Sequence, residues 1–336
     1  MDPLDLNRLS KFRGTVLGAA VADALAFPYQ HYSRTFLRSF AHSLAASMAD
    51  HHAVFHPRGQ WSDDTQSLLA TARAVSEDGA VNAAGICARL VALRRDQLLI
   101  EPEPSLVRAL DLIADGHLGL EEAGLGPGHA EAGAAPRAVV IGLWDHDRLD
   151  ALPADVDACT RITHRDPRAL AVASAVAAGI AVTVATEELM LGEFLDRVAA
   201  AAGRHDPVIA EAVLDFPRVL SISEDRALRH FEAISPDDRY PASADGIGAY
   251  CVPVLFAAMY YFLKAPYRYE KVVDRCLRVG GRIDTPAFLA AAWSGALVGE
   301  EGLPAHLVDG VFHSAEINAA ADDLFARAAS RGERSL

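Results

Sequence analysis

Apolar residues recur at three- and four-residue intervals along most of this 336-residue chain, and alanine is abundant. That spacing places apolar side chains on one face of a helix, whereas no long segment alternates as a strand would. Helix starts are marked by polar caps or prolines, as at Asn82, Asp166-Pro167 and Asp284-Thr285-Pro286. The pattern predicts an all-α fold, and the absence of a fixed-period repeat or a linker favours a single domain over residues 1–336.

Four stretches interrupt or extend this helical pattern. The glycine-rich interval 116–136 and the segment 235–248 are predicted to be loops. Two apolar stretches, Ala169–Ala185 and Gly246–Leu263, are near the minimum length for a membrane span. The first is dominated by alanine and the second contains Pro253 and tyrosines, so buried core helices explain both better than a membrane span does.

Charge and cysteine content narrow the class of protein. The net charge is −14 and the pI is about 5.3, which argues against non-specific nucleic-acid binding but allows a small anionic ligand in a local pocket. The four cysteines are widely spaced and form no CxxC pair, which is typical of reduced thiols in a cytosolic protein. The first residues lack the pattern of a signal peptide, so we expect a cytoplasmic protein.

The stretch WSDDT at residues 61–65 has two interpretations. Ser62 or Asp63 could cap a helix that starts near Asp64, because acids and hydroxyls favour the positive end of a helix dipole. Alternatively, Ser62, Asp63 and Asp64 could supply the oxygen ligands that a hard cation such as Mg²⁺ or Mn²⁺ prefers. The two interpretations are compatible, since one acid can cap while another binds the ion.

The stretch GGRIDT at residues 280–285 raises the same question. Gly280 and Gly281 permit a tight turn, after which Asp284 and Thr285 begin another helix with a carboxylate and a hydroxyl. A glycine that ends one helix and an Asp284 cap that begins the next would explain the stretch without a ligand. A metal site would use Asp284 and Thr285 as further ligands.

Three more stretches contain polar groups near predicted helix ends. Gly14 and Gly18 allow close helix packing, and Asp23 in the same apolar helix needs a partner or a cation if it is buried. In THRDPRA, at residues 163–169, His164 could bind a ligand near a helix start, or the stretch could serve only to begin the helix. Backbone N–H groups of residues 133–135 could face a phosphate.

In this order, the five stretches resemble the ADP-ribosylglycohydrolase family, of the dinitrogenase-reductase-activating glycohydrolase type. Family members carry GDALGxPxE near the start, then WTDDT, a glycine-rich stretch ending in AMRxAP, THxDPRA and finally GGDTDT. The resemblance runs from about Gly14 to Leu307. It implies a multi-helix bundle with a central cleft, two divalent ions held by the hydroxyls and acids of WTDDT and DTDT, and hydrolysis at the ribose C1″ of an ADP-ribosyl group.

Several positions depart from that pattern. Asp63, Asp64, Asp284 and Thr285 match, and Ser62 keeps a hydroxyl. The departures that bear on chemistry are Arg282, which stands where an acid is expected, and Gln30, which stands where a glutamate is expected. Arg282 changes the local charge by about +2 and would repel a nearby ion. We therefore expect one Mg²⁺ or Mn²⁺ rather than two, or none, with Arg282 pairing with Asp63, Asp64 or Asp284.

Two functional hypotheses follow. In the first, the chain hydrolyses an ADP-ribosyl or related N- or O-ribosyl bond, with Asp63 or Asp64 as the base, because Gln30 cannot serve as one. In the second, it binds ADP-ribose or a nucleotide without turnover and has a regulatory or structural role. Both predict a partner that contains ADP-ribose, either a small molecule or an ADP-ribosylated acceptor. The predicted substrate contacts are Gln30, Gly133, Ala134, His164 and Arg282.

Overall fold

Helices form the regular structure of this chain in the computed structural model, which describes residues 3–53, 55–120, 122, 124–235, 239–240 and 245–332. Those residues contain isolated β-bridges but no strand, so the all-α prediction is confirmed. Two 3₁₀ turns cover Phe27–Tyr29 and Glu300–Gly302. The α-helices are α1 Pro3–Ala26, α2 Arg34–Arg38, α3 Asp63–Asp78, α4 Ala83–Arg95, α5 Pro104–Ala114, α6 Ala135–Trp144, α7 Leu152–Thr160, α8 Pro167–Ala185, α9 Leu191–Gly203, α10 Pro207–Leu214, α11 Phe216–Ser221, α12 Glu224–Glu232, α13 Cys251–Lys264, α14 Tyr269–Leu277, α15 Asp284–Val298, α16 Ala305–Gly310 and α17 Ser314–Gly332.

The helix starts follow the sequence signals with one correction. The Asn82 side chain accepts a hydrogen bond from the Ala84 N–H at 3.1 Å and caps α4, and Asp166 caps α8 in the same way. At α15 the cap position belongs to Ile283, and Asp284 is the first residue of the helix. The Asp284 side chain therefore does not cap the helix and is available for other contacts.

Close packing of α1 against α15 is made possible by two glycines. A Cβ on Gly14 would lie 2.4 Å from the Gly295 carbonyl oxygen, and a Cβ on Gly295 would lie 2.0 Å from the Gly14 carbonyl oxygen. Only glycine fits at both positions. Since Gly18 in turn lies against Ala291, the two helices run antiparallel, and the end of α1 with Asp23 approaches the start of α15 with Asp284.

The two long apolar stretches form core helices, as predicted. Helix α8 is long and apolar enough to cross a membrane by length and composition, yet 83% of its apolar window is buried inside the fold. Helix α13 is buried along most of its length. Both therefore pack as interior helices of the bundle.

The two predicted loops are irregular in the parts that the structure describes. Interval 116–136 has no helix until α6 begins at Ala135, and residues 121 and 123 lie outside the described residues. Isolated bridges join Leu125 to His164 and Glu131 to Tyr250. In segment 235–248, residues 236–238 and 241–244 lie outside the described residues. The bridges bring the start of α6 close to the starts of α8 and α13.

Candidate active site

The WSDDT stretch is a helix N-terminus whose cap does not need its two carboxylates. The Ser62 hydroxyl accepts from the Asp64 N–H at 3.3 Å, so Ser62 is the cap of α3. From α1, Asp23 Oδ2 accepts from the N–H groups of Ser62 (3.0 Å) and Thr65 (3.2 Å) and from the Thr65 hydroxyl (2.6 Å). With the first turn satisfied by Ser62 and Asp23, the side chains of Asp63 and Asp64 are left for other contacts.

The GGRIDT stretch is a tight turn held by its neighbours. Gly280 and Gly281 have φ of +82° and +80°, a conformation that favours glycine. The His31 N–H donates to the Gly281 carbonyl at 2.8 Å, and the Arg282 N–H donates to the Ile247 carbonyl at 2.8 Å. The chain just after Gln30 is thus bonded to the turn that carries Arg282.

Gln30 itself is half-buried, and its Nε2 is buried with no hydrogen-bond partner within the described chain. An amide in that state can donate to a ligand. The structure therefore places two of the predicted substrate contacts, Gln30 and Arg282, beside the same turn.

Four carboxylates meet where the end of α1 faces the starts of α3 and α15, and we call Asp23, Asp63, Asp64 and Asp284 the aspartate cluster. All four are at most 3% exposed. Burial, followed by repulsion from Glu103, raises the pKa of Asp63 well above its usual value. Burial and the neighbouring Asp63 do the same for Asp64. Burial also raises the pKa of Asp23 to about 6, against the hydrogen bonds from Thr65 and Ser62.

The aspartate cluster fits a hard cation. Asp64 Oδ2 and Asp284 Oδ1 are buried oxygens without a hydrogen-bond partner within the described residues. The neighbouring Thr285 hydroxyl is also buried and hydrogen-bonds to Asp64. Unpaired buried carboxylate oxygens are costly unless a cation neutralises them. Asp64, Asp284 and Thr285 could together contribute three oxygen ligands to one ion.

Arg282 supplies one fixed positive charge at this cluster. Its Nη2 lies 3.8 Å from Asp284 Oδ2, and its side chain is 19% exposed. Burial alone would lower the pKa of Arg282, but the surrounding carboxylates raise it, with Asp284 and Glu103 contributing most. A guanidinium held here leaves one side of the aspartate cluster neutralised and disfavours a second ion on that side.

A second group of polar residues lies beside Arg282, at the starts of α5, α6 and α8. Glu103 precedes α5, is 3% exposed, and accepts hydrogen bonds from the N–H groups of Ala132 (3.0 Å) and Gly133 (2.7 Å). The Gly133 N–H, which was predicted to face a phosphate, thus donates to a carboxylate of the protein. Ala134 is the buried cap residue of α6. Burial raises the pKa of Glu103 to about 8, although Arg282 opposes the shift.

His164 lies at the bottom of this second group and is fully buried. Its Nδ1 lies 2.8 Å from the Thr163 hydroxyl oxygen, and its Nε2 lies 3.8 Å from Glu103 Oε2 with no hydrogen-bond partner within the described chain. Burial, followed by the nearby Arg137, lowers the pKa of His164 to about 3, so the imidazole is neutral.

Glu131 completes this group, and we call Glu103, Glu131 and His164 the Glu–His cluster. One ligand atom from each residue lies within 4.8 Å of the other two. Among the described residues, no other three histidine, cysteine or acidic groups meet that spacing, including Asp63, Asp64 and Asp284. The structure therefore separates a spread aspartate cluster from a tighter Glu–His cluster.

Two residues of these clusters were missed by the sequence reasoning, and one was noted only as an acid in need of a partner. The Glu103-Pro104 pair repeats the acid-proline pattern of Asp166-Pro167 at a helix start, and that signal could have found it. Glu131 lies in the glycine-rich loop and has no such signal. Asp23 finds its partners at the N-terminus of α3.

Comparison with known proteins matches nearly the whole chain. The family model described as ADP-ribosylglycohydrolase matches residues 4–334. An uncharacterised protein of Archaeoglobus fulgidus is 26% identical over 289 residues, which is 85% of this chain and 87% of that protein. A solved structure titled "ADP-ribosylglycohydrolase-related protein complex" superposes with a TM-score of 0.73 at 18% identity, over 96% of this chain and 99% of that chain. That structure is similar in fold.

Proposed function

Because the chain belongs to the ADP-ribosylglycohydrolase family, we propose that it hydrolyses the glycosidic bond at the ribose C1″ of an ADP-ribosyl group. The observation that carries this proposal is the aspartate cluster, where buried oxygens of Asp64 and Asp284 lack partners beside the fixed cation Arg282. The unpaired carboxylate oxygens favour the binding of a cation, and the Arg282 guanidinium favours an anionic, hydroxyl-rich ligand. The partner would be a small molecule that contains ADP-ribose, or an ADP-ribosylated acceptor.

In this proposal the aspartate cluster binds one Mg²⁺ or Mn²⁺. The ligands would come from Ser62, Asp63, Asp64, Asp284 and Thr285. When bound, the ion neutralises the carboxylates and polarises oxygens of the ribose. Arg282 takes the place of a second ion, because its charge lies next to Asp284 and is permanent at neutral pH.

The protein groups would act on water and on the leaving group. Asp63 or Asp64 accepts a proton from a water molecule, whose oxygen bonds to C1″ while the bond from C1″ to the acceptor atom breaks. The proton taken up by the aspartate then passes to the departing acceptor atom, so the products are ADP-ribose and the protonated acceptor. Burial and the neighbouring carboxylates raise the pKa of both groups, and a bound cation would favour the ionised form that can accept the proton.

The substrate would be oriented by polar groups around the aspartate cluster. Arg282 would bind phosphate or ribose oxygens with its guanidinium, and Gln30 would donate with its unpartnered Nε2. Gly133 and Ala134 lie at the start of α6, where a phosphate would have to displace Glu103 from the Gly133 N–H. The direct ligand contact predicted for His164 stays a prediction, since its imidazole is fully buried beside Glu103.

The test is calorimetric titration of ADP-ribose into the full chain, with and without Mg²⁺ or Mn²⁺, followed by hydrolysis assays on ADP-ribosylated arginine and serine. We expect binding that strengthens with the ion and measurable release of ADP-ribose. Binding without any release would contradict the hydrolase and support the second candidate below. An absence of binding would contradict both.

The second candidate is a protein that binds ADP-ribose without hydrolysing it. Two departures from the family pattern favour it: Gln30 and Arg282 stand where that pattern has acids. Under this candidate, Arg282 would hold the ligand and the site would lack a competent base.

We also propose a cytoplasmic location. The four cysteines are buried free thiols, distributed over the fold without a disulfide among the described residues. Free thiols are typical of a reducing compartment. The test is to separate cell extracts into soluble and membrane fractions and to detect the chain in each with an antibody; we expect it in the cytoplasmic fraction.

A further inference from the structure

A buried histidine nitrogen in the Glu–His cluster is left without a partner by the rest of the described protein. His164 is fully buried, and its Nε2 makes no hydrogen bond, although Glu103 Oε2 lies 3.8 Å away. Two atoms bonded to one ion at about 2.1 Å each can lie at most about 4.2 Å apart. The observed separation of 3.8 Å therefore leaves room for an ion between the nitrogen and the carboxylate.

Hydrogen bonds hold Glu103, Glu131 and His164 in place, and each side chain still has a lone pair that could bind an ion. Glu103 accepts from the backbone N–H groups of Ala132 and Gly133, and Glu131 Oε2 accepts from the Ser105 N–H at 2.9 Å. The His164 Nδ1 lies 2.8 Å from the Thr163 hydroxyl oxygen, which can accept its proton and leave Nε2 free to bind an ion. Metal ligands in proteins are oriented by such outer hydrogen bonds.

We propose that Glu103, Glu131 and His164 form a binding site for a first-row divalent transition-metal ion such as Zn²⁺, separate from the aspartate cluster. An imidazole ligand suits zinc and its neighbours, whereas Mg²⁺ and Ca²⁺ prefer oxygen ligands alone. Three protein ligands leave at least one coordination position open. This assignment replaces a direct substrate contact of His164, and it does not depend on the proposed function.

One residue of the Glu–His cluster, Glu131, faces a cavity. Glu131 and His129 line a cavity of about 210 Å³ that opens beside the start of α5. Arg108 and Arg239 also line this cavity, and their charges oppose the entry of a cation. The two carboxylates of the Glu–His cluster attract the ion and offset its charge.

The competing explanation is that the two glutamates serve only as a scaffold for the loops before α5 and α6. A scaffold accounts for the backbone hydrogen bonds to Glu103 and Glu131 but leaves the buried His164 Nε2 unsatisfied. Other buried side-chain atoms of the described residues also lack a partner, but this nitrogen lies 3.8 Å from a Glu103 oxygen in a cluster with a second carboxylate. An ion satisfies this nitrogen, whereas the scaffold does not.

The test measures ion binding by the full chain without any substrate. After chelator treatment and dialysis, the protein is titrated with Zn²⁺ in excess Mg²⁺ by calorimetry, and separately with Co²⁺, whose visible absorption reports the ligand field. We expect one tightly bound equivalent that Mg²⁺ does not displace. Glu131→Gln keeps an acceptor for the Ser105 N–H and should weaken Zn²⁺ binding at least about tenfold.

Control variants decide where the ion binds. Asp64→Asn should leave the Zn²⁺ affinity unchanged, and so should a His52→Ala/His56→Ala variant, which removes two rings from the histidine group around His51. A failure to bind one equivalent of Zn²⁺, or a loss of binding in either control instead of in Glu131→Gln, would overturn the proposal. Circular dichroism of each variant confirms that the fold is retained.

Discussion

The aspartate cluster and the Glu–His cluster both contain acids that interact with Arg282, but they differ in how their buried charges are compensated. In the aspartate cluster four buried acids lie near one permanent cation, and three carboxylate oxygens have no hydrogen-bond partner among the described residues. In the Glu–His cluster the carboxylates are bound by backbone N–H groups, and a neutral imidazole is the unpaired group. The aspartate cluster therefore has a surplus of negative charge, and the Glu–His cluster combines two carboxylates with one imidazole.

The different chemical groups of the two clusters determine which ligands each can bind. Hydroxyl and carboxylate oxygens near a guanidinium suit a hard ion and an anionic ligand together. Two carboxylates with an imidazole suit a transition metal. Arg282 contributes to both, because it stabilises the ionised forms of Asp63 and Glu103. A change at Arg282 should therefore affect both clusters, whereas changes further from it should affect one.

The largest expected effect is on catalysis. Asp64→Asn removes a proposed base and ion ligand while keeping the side-chain volume, so ADP-ribose release should fall about 100-fold or more. Glu131→Gln in the other cluster is the matched carboxylate-to-amide control and should reduce release much less. Steady-state hydrolysis assays in Mg²⁺ measure both. Equal losses in the two variants would mean that the clusters act as one site and would break the comparison.

Replacing Arg282 and Gln30 by the acids of the family pattern should increase the binding of hard ions. Arg282→Asp combined with Gln30→Glu removes the fixed cation and adds two carboxylates, so Mn²⁺ affinity should rise about tenfold or more. Calorimetric titration with Mn²⁺ measures the affinity and stoichiometry, and each single variant serves as a control. If the double variant gains neither ion affinity nor activity, Arg282 does not occupy an ion position.

A methyl group added at Gly133 should disturb the Glu–His cluster. A Cβ on Gly133 would lie 2.3 Å from Glu103 Oε2, so Gly133→Ala should displace that carboxylate and weaken Zn²⁺ binding about tenfold. Gly119→Ala is the control in the same loop, because nothing lies within 4 Å of its Cβ position. Competition with a zinc-binding dye measures both variants. Unchanged affinity in Gly133→Ala would show that Glu103 is not a ligand.

The sequence predicted the elements of the aspartate cluster well, because its chemistry lies in short stretches at helix starts. Ser62 caps α3 as expected, and Arg282 lies next to Asp284. The convergence of Glu103, Glu131 and His164 could not be predicted, because the three residues lie in loops that are far apart in sequence. Periodicity shows where helices lie but not which helix starts converge. The roles of the predicted site residues and the single-domain interpretation stay predictions.

The smallest expected effect concerns stability and separates ligand-binding acids from merely buried ones. Asp145 is a buried acid outside both clusters, 3.4 Å from Arg148 and 3.7 Å from Arg331. Burial, followed by the nearby Asp155, raises its pKa from 3.8 to about 7 despite the arginines. Since the folded state then binds the proton more tightly than the unfolded state, its cost to stability grows as the pH rises from about 4 to about 7.

Both Asp64→Asn and Asp145→Asn should therefore raise the midpoint of thermal unfolding at pH 8 by about 2–4 °C, and by less at pH 5, when measured with a chelator. Mg²⁺ distinguishes them. An ion that binds the folded aspartate cluster stabilises the chain by mass action, so Mg²⁺ should stabilise the wild type and Asp145→Asn but not Asp64→Asn. Stabilisation of all three chains by Mg²⁺ would place the hard ion outside the aspartate cluster, and the contrast between the two clusters would then rest on the Glu–His cluster alone.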